Sequence, residues 1–160
     1  MKVKNPEDVQ RQFMRTIDLV KNPKPFFMDI VGKPGDTREW TIRGSISRAF
    51  VTKIDPVDRS QWPPLLMKTL LNKEKIWGAK PTLIASGALF NSLMGGPGNV
   101  YIMEGKRLSY GTTLVYGGYH MNGTKHMPRR RFMGFAKKQV LAIKTLWSEY
   151  VKQAWAGEKK

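Results

Sequence analysis

The feature that most constrains the fold is a long amphipathic pattern near the C-terminus. Apolar side chains recur there at intervals of three and four residues: Val140, Ile143, Trp147, Tyr150, Val151 and Ala154. This spacing places them on one stripe of an α-helix. Most of the lysines in the segment fall off that stripe: Lys137, Lys138, Lys144 and Lys152. We predict a C-terminal helix over residues 135–156, ended by Gly157, whose apolar stripe faces the core or a partner.

The segment before this helix carries strand patterns. Val100 and Ile102 form one alternating run and Leu108 and Tyr110 a second, and residues 104–106 between them are suited to a hairpin turn. A third strand is expected near residues 125–130. Because three strands need a helix on one face to be stable, the predicted fold class is α+β. A small antiparallel sheet of about three to four strands, within residues 98–131, packs against N-terminal and C-terminal helices.

Helices are expected over residues 6–53. Pro6 is well placed as a first helical residue, because its missing N–H would have no partner there, and Asn5 is suited to cap the helix. Pro23 should end this helix. Pro25 should keep Lys24 extended, since the residue before a proline avoids helical backbone angles.

Residues 37–51 fit two patterns. With a period of two, Ile42, Ile46 and Phe50 share one face of a strand, but the same residues also align at the helical period of 3.6. Asp36 and Glu39 have the spacing of a capping box, in which an acceptor caps the helix and a glutamate reaches back to its amide. That spacing favours a helix.

A loop and short helices are expected over residues 54–94. Prolines and polar residues between Asp55 and Pro64 predict a loop, with Trp62 packed back on the body. Pro64 is suited to open a short helix that ends near Leu71, followed by a polar connection over residues 72–80.

A second short helix follows in this region. Ser86 is suited to cap it, with Leu89 and Leu93 facing inward. The length of 160 residues fits one domain, residues 1–160.

The composition is strongly basic. Lysine and arginine number 28 against 12 acidic residues, a formal net charge of +16, and no carboxylate lies between Glu104 and Glu149. Such a charge attracts polyanions. The absence of cysteine excludes disulfides and thiolate metal sites. No uncharged apolar run is long enough to cross a membrane, and no signal peptide is recognisable, so we expect synthesis in the cytoplasm and no membrane partner.

The sequence holds no recognisable catalytic or metal-binding motif. His120 and His126 are the two histidines, and their separation does not match a metal-ligand spacing. No serine lies in a Gly-x-Ser-x-Gly elbow, and no glycine-rich phosphate loop is present. We therefore expect no enzymatic activity and no cofactor.

Three phrases between Leu83 and Gly134 resemble a known family. They are Ser86-Gly87-Ala88-Leu89-Phe90-Asn91-Ser92-Leu93, then Gly111-Thr112 leading to Tyr116-Gly117-Gly118-Tyr119-His120-Met121-Asn122-Gly123, then Met127-Pro128-Arg129-Arg130-Arg131-Phe132-Met133-Gly134. Their order and spacing are similar to those of the tail-completion, or virion morphogenesis, family of tailed bacteriophages, the group of the Mu phage G protein. An upstream stretch also resembles the family: Asp55-Pro56 followed by Trp62-Pro63-Pro64-Leu65. It departs from the family pattern at Asp58, which lies near the position where a glycine would be expected.

The resemblance covers residues 36–155 and implies a structural protein of the phage neck. It implies a ring, of six copies, between the head connector and the tail, with neighbouring neck, tail terminator and tail-tube proteins as partners and the virion as its location. The matching residues are expected to have structural roles: Ser86, Gly87, Leu89, Ser92, Gly111, Tyr116, His120, Gly123, Pro128, Arg130, Phe132 and Gly134. We expect Pro128 to end the third strand and Gly134 to let the last helix start close to the sheet. We expect Phe132 in the core and Arg130 bound to carbonyls or a carboxylate of the body.

Two interpretations of the charge remain open. Contact with the packaged DNA end, without sequence readout, or with an acidic partner protein would use the same residues: Arg129, Arg131, Lys137 and Lys138. The alternative function is a basic, non-sequence-specific nucleic-acid-binding protein. A helix-turn-helix is not visible in the sequence.

Overall fold

The computed structural model describes residues 6–156, and within this range it has seven helices and a two-stranded sheet. The elements are α1 (Pro6–Lys21), α2 (Lys24–Val31), α3 (Ile42–Thr52), α4 (Met67–Trp77), α5 (Ala88–Leu93), β1 (Asn99–Glu104), β2 (Arg107–Thr112), α6 (Val115–Asn122) and α7 (Lys137–Ala156). The predicted α+β class is confirmed. The predicted sheet of three to four strands is wrong, because the antiparallel sheet in the described residues has two strands.

The hairpin forms where the sequence predicted it. β1 and β2 pair along their whole length, from Asn99 opposite Thr112 to Glu104 opposite Arg107, with a two-residue turn between them. Gly105 occupies that turn with a φ of 53°, a conformation that glycine adopts at little cost.

The expected third strand near residues 125–130 is replaced by irregular structure. Thr124 and Met127 form an isolated bridge, and Pro128, which has no N–H to donate to a ladder, follows directly. The residues before this segment form α6, although they include Gly117 and Gly118. A Cβ at Gly117 would lie 3.3 Å from Leu89 Cδ1, so glycine permits α6 to pack closely on α5.

The core is built around α3. Ile46 and Phe50 on α3 are almost fully buried, together with Leu93 of α5 and Phe132 of the segment before α7. The helix predicted over residues 37–51 is therefore confirmed in type, but its predicted cap is wrong. Thr41 caps α3, with its Oγ1 accepting from Gly44 N at 3.1 Å.

Asp36 instead binds Arg38, whose backbone N donates to Asp36 Oδ1 at 2.9 Å and whose guanidinium pairs with the same carboxylate. These contacts lower the pKa of Asp36 below its ordinary value, the side-chain hydrogen bond from Arg38 being the largest cause. The carboxylate thus holds the turn before α3 and does not serve as its cap.

The N-terminal helices pack on α7. α1 lies along α7, and Phe26 of α2 contacts Trp147 and Tyr150 of α7, with ring centroids 4.8 and 5.6 Å apart. The predicted end of α1 before Pro23 is confirmed, but the extended Lys24 is wrong. Lys24 begins α2 because Pro25 lies in its first turn, where a proline N–H would have no helical partner. The predicted cap Asn5 and terminator Gly157 lie outside the described residues.

Helix α4 differs most from its prediction. It begins after Leu66 and continues to Trp77, through residues that were expected to form a polar connection. Residues 72–76 include lysines and a glutamate. These residue types are good helix formers as well as polar, so their polarity does not indicate a connection. None of the helices within residues 6–156 is long and apolar enough to cross a membrane.

Candidate assembly surface

The first two motif phrases meet in one buried cluster. Ser92 Oγ donates to Leu89 O at 2.8 Å and lies 2.8 Å from Thr112 Oγ1, which links α5 to the end of β2. Asn99 Nδ2 donates to Ser92 O at 2.8 Å and fastens the start of β1 to the same helix. The phrases therefore join α5 to the hairpin.

The start of α5 is formed differently from its prediction. Gly87, with a φ of 87°, is the N-cap residue, and Ser86 Oγ accepts from Ala88 N at 3.3 Å. Leu89 and Leu93 are buried, as predicted. Gly111 pairs with Val100 inside the hairpin.

The third phrase fastens a loop to the body. Arg130 is buried, and its Nε and Nη2 donate to Pro63 O and Pro64 O, both at 2.9 Å. Trp62, also buried, donates from Nε1 to Arg131 O at 2.8 Å. The expectation that Arg130 binds carbonyls of the body is confirmed, as is the packing of Trp62.

The arginines on either side of Arg130 bind the same loop. Arg129 Nη2 lies 3.1 Å from Asp58 Oδ2, and Arg131 Nε lies 3.7 Å from the buried Asp55 carboxylate. These two arginines were predicted to contact DNA or an acidic partner. Each already faces a carboxylate within the chain, so each offers less charge to an outside anion than an unpaired cation would.

Phe132 and Gly134 fill the space between this loop and α3. Phe132 is 1 % exposed and its ring lies 5.7 Å from that of Phe50, which confirms its predicted place in the core. Gly134 has a φ of 144°, and a Cβ there would lie 2.4 Å from Val57 Cγ2. The close approach that requires glycine is thus to the loop residue Val57. The need for glycine at this position does not come from the predicted close start of α7 on the sheet.

The remaining motif residues surround α6. Gly123, with a φ of 76°, ends α6, and Arg130 N donates to His120 O at 2.8 Å. The His120 ring lies 6.4 Å from that of the exposed Tyr116. Burial lowers the pKa of His120, and the charge of Arg130 adds to the effect. Pro128 is exposed and ends no strand, contrary to its predicted role.

Lys137 and Lys138 are exposed at the start of α7. The next residue, Gln139, is buried: its Oε1 accepts from Ala136 N at 2.6 Å and its Nε2 donates to Glu39 O at 2.7 Å. Gln139 thus fixes the start of α7 to the turn before α3. The sequence pattern did not single it out, although a glutamine three residues after the residue whose amide it caps, here Ala136, is a capping signal.

The described residues contain no group of three or more metal-ligating side chains. They do expose several large apolar side chains on one helix. Six large side chains of α4 and its N-cap residue are between 41 and 76 % exposed: Leu66, Met67, Leu70, Leu71, Ile76 and Trp77. No residue of α4 is buried. Five of the six side chains share one side of the helix, which we call the α4 face: Leu66, Met67, Leu70, Leu71 and Trp77. The α4 face was missed because the pairs Leu70-Leu71 and Ile76-Trp77 were divided between a short helix and a connection.

A groove of about 600 Å³ lies between α4 and the loop that Arg130 holds. Five apolar residues and three polar residues line it: Trp62, Pro63, Pro64, Leu65 and Leu70, with Lys53, Gln61 and Thr82. Leu70 belongs to both the groove and the α4 face. The groove and the α4 face therefore form one continuous apolar surface. We call the two together the α4 groove, and the groove alone is the cavity of about 600 Å³.

Lys53 lines this groove, and Lys73 and Lys80 lie near its Thr82 end. Lys73 Nζ donates to Lys80 O and Pro81 O, and Lys80 Nζ donates to Ala85 O at 3.1 Å. Burial lowers the pKa of Lys73, and the charges of Lys53 and Lys80 lower it further. Within residues 6–156, none of these three lysines pairs with a carboxylate.

Comparisons with protein-family models, with curated proteins and with solved structures found no match to this chain.

Proposed function

We propose that this chain is a structural assembly protein of the neck of a tailed bacteriophage and not an enzyme. Six copies would form a ring between the head connector and the tail, after synthesis in the host cytoplasm. The ring would contact neighbouring neck, tail terminator and tail-tube proteins. The resemblance of residues 36–155 suggests this setting, and the α4 face is the observation that supports an assembly role.

The α4 face supports assembly because apolar surface of this kind is costly to leave in water. Contiguous exposed apolar patches on monomers are usually interaction sites. By contrast, the motif residues are engaged within the chain: they hold α5, the hairpin, α6 and the loop at residues 55–64 together. In this proposal the motif builds the scaffold and α4 makes the external contact.

The experiment compares two substitutions at exposed apolar residues in the phage genome that encodes the chain. Leu71→Asp lies on the α4 face, whereas Val51→Asp lies on α3 and is 77 % exposed. We expect electron microscopy of Leu71→Asp lysates to show separate heads and tails, and Val51→Asp lysates to contain complete virions. Joined virions in the Leu71→Asp lysate, with the variant protein folded, would contradict the assembly role of α4.

A second candidate function is non-specific binding of nucleic acid, including the packaged DNA end. The outer side of α7 favours it, since four lysines there are exposed: Lys137, Lys138, Lys144 and Lys152. Contacts of lysine with phosphate make affinity fall steeply as salt rises. Duplex-DNA affinity that falls with salt and drops on Lys144→Glu with Lys152→Glu would support this function. Equal affinity for the variant and the wild type would exclude α7 as the contact.

A further inference from the structure

We infer that the α4 groove binds an amphipathic helix of a neighbouring protein, with apolar residues on one side of that helix and carboxylates beside them. The inference rests on the proposed assembly role and names the partner chemistry of the same surface. It starts from two features that occur together: the apolar lining of the groove, and nearby lysines that pair with no carboxylate within residues 6–156.

The apolar part of the groove calls for apolar side chains from the occupant. Trp62, Pro63 and Pro64 form a wall that Arg130 holds in place through the two proline carbonyls. The groove therefore exists before any partner arrives, which reduces the ordering cost of binding. Its volume of about 600 Å³ accommodates several apolar anchors.

The surface extends beyond the groove. Met67 and Leu71 lie one helical turn apart and Leu70 lies between them, so their side chains continue the apolar surface along α4. Both Met67 and Leu71 are exposed. A helix laid beside α4, with anchors three and four residues apart, covers the groove and this extension together. A small ligand confined to the groove would leave the extension in water.

The charges select among such helices. Lys53 lines the groove, and Lys73 donates to the carbonyls of Lys80 and Pro81, next to Thr82 of the groove lining. The three lysines are therefore near one another at one end of the site. A helix with carboxylates along the edges of its apolar stripe compensates them. A second copy of this chain fits less well, since its 28 basic residues against 12 acidic ones would add positive charge to the site.

The test uses two fluorescently labelled model peptides with identical leucine spacing. One has glutamate at the polar positions and the other has lysine. With the full chain at low salt, fluorescence anisotropy should show the glutamate peptide binding at least about tenfold more tightly than the lysine peptide. Leu70→Asp should lower the affinity for the glutamate peptide by about tenfold or more, since it places a carboxylate in the groove.

Reversing the groove charges makes the test specific. Lys53→Glu alone, and Lys53→Glu combined with Lys80→Glu, should shift preference toward the lysine peptide. Lys144→Glu with Lys152→Glu, the matched control on the outer side of α7, should leave the glutamate-to-lysine preference within about twofold of the wild-type ratio. The single variant guards against misfolding, since Lys80 also binds Ala85 O. Equal binding of the two peptides, or equal loss in the control, would overturn the inference.

Two outcomes separate the partner from the proposed function. If the peptides do not bind but Leu70→Asp abolishes self-association in sedimentation, the occupant is a second copy and the acidic partner is excluded. If the charge-reversed variants change peptide preference while virions of Lys53→Glu and of Leu71→Asp join normally, the groove chemistry stands and the neck role fails.

Discussion

At the scale of single residues, Phe132 offers the most direct test of the core. Its ring is almost fully buried against Phe50, so Phe132→Ala should lower the free energy of unfolding by about 3–5 kcal/mol. Phe13→Ala is the matched control, because Phe13 on α1 is 56 % exposed. Urea unfolding of both variants measures the difference. Equal losses in the two variants would show that Phe132 is not a core residue.

Arg130 and Arg129 are neighbours with opposite surroundings. Arg130→Ala leaves the carbonyls of Pro63 and Pro64 without their donor, and we expect a loss of at least about 2 kcal/mol in unfolding free energy. Arg129→Ala removes an exposed pair with Asp58 and should cost less than about 1 kcal/mol. Chemical denaturation of the two variants gives the comparison. A larger loss for Arg129 would mean that the loop depends on the carboxylate pair.

His120 should make stability depend on pH. Burial and Arg130 lower its pKa in the folded chain below the ordinary 6.5, and its Nδ1 is buried without a hydrogen-bond partner in the described structure. The folded state therefore favours neutral imidazole. The stabilisation is complete above pH 6.5 and declines as the pH falls to the folded pKa. Each pH unit in that window removes less than about 1.4 kcal/mol, because the ring is only partly buried and solvent screens its charge.

The measurement compares unfolding free energies at neutral and mildly acidic pH. His120→Gln should lose less stability on acidification than the wild type does. His126→Gln, at an exposed residue of the adjacent turn, is the control and should respond like the wild type. A wild-type response in His120→Gln would show that other groups cause the acid sensitivity.

At the scale of elements, α4 is held by very few contacts. It has 11 residues and none is buried, and isolated helices of this length are marginal in water. Lys73 connects it to the carbonyls of Lys80 and Pro81. Lys73→Met should therefore raise amide hydrogen exchange in α4 several-fold, whereas Lys68→Met, at an exposed position, should not. Unchanged exchange in both variants would exclude this connection as the restraint on α4.

Sequence periodicity predicted α1, α3, α7 and the hairpin, because each has an apolar pattern that meets the core or a neighbouring helix. It missed α2 and α6 for different physical reasons. Pro25 disfavours helix at Lys24 in isolation, but a proline in the first turn is compatible with α2. Gly117 weakens α6 locally, and the close packing on Leu89 compensates.

At the candidate site, burial could be predicted from the sequence better than side-chain pairing could. Arg130 and Phe132 were placed correctly because a large aromatic side chain, and an arginine between a proline and a glycine, have few alternatives. Pairing of Arg129 with Asp58 and of Arg131 with Asp55 depends on how the loop folds back over about 70 residues of chain, which no local pattern contains. The exposure of the α4 face likewise depends on how the rest of the chain folds, because no other element of the described chain packs over it and no local pattern predicts this.

At the scale of the whole molecule, the net charge of +16 opposes the proposed ring. Like charges repel within a Debye length of about 10 Å at 0.1 M salt, but only within about 3 Å at 1 M. We expect the chain alone to sediment as an 18.3 kDa monomer at the lower salt and to associate at the higher salt, where repulsion is screened and apolar contacts persist.

A polyanion should replace salt in this role. Polyglutamate at about 0.1 M salt should produce the larger species, because it compensates the charge as an acidic neck protein would, and uncharged polymer should not. Short duplex DNA in place of polyglutamate tests the genome end as the compensating anion. Leu71→Asp should leave this association unchanged, because the α4 groove is proposed to bind a neighbouring protein and not a second copy of the chain. A ring formed by the chain alone at low salt would show that its contacts already neutralise the charge, and the need for an anionic neighbour would then disappear.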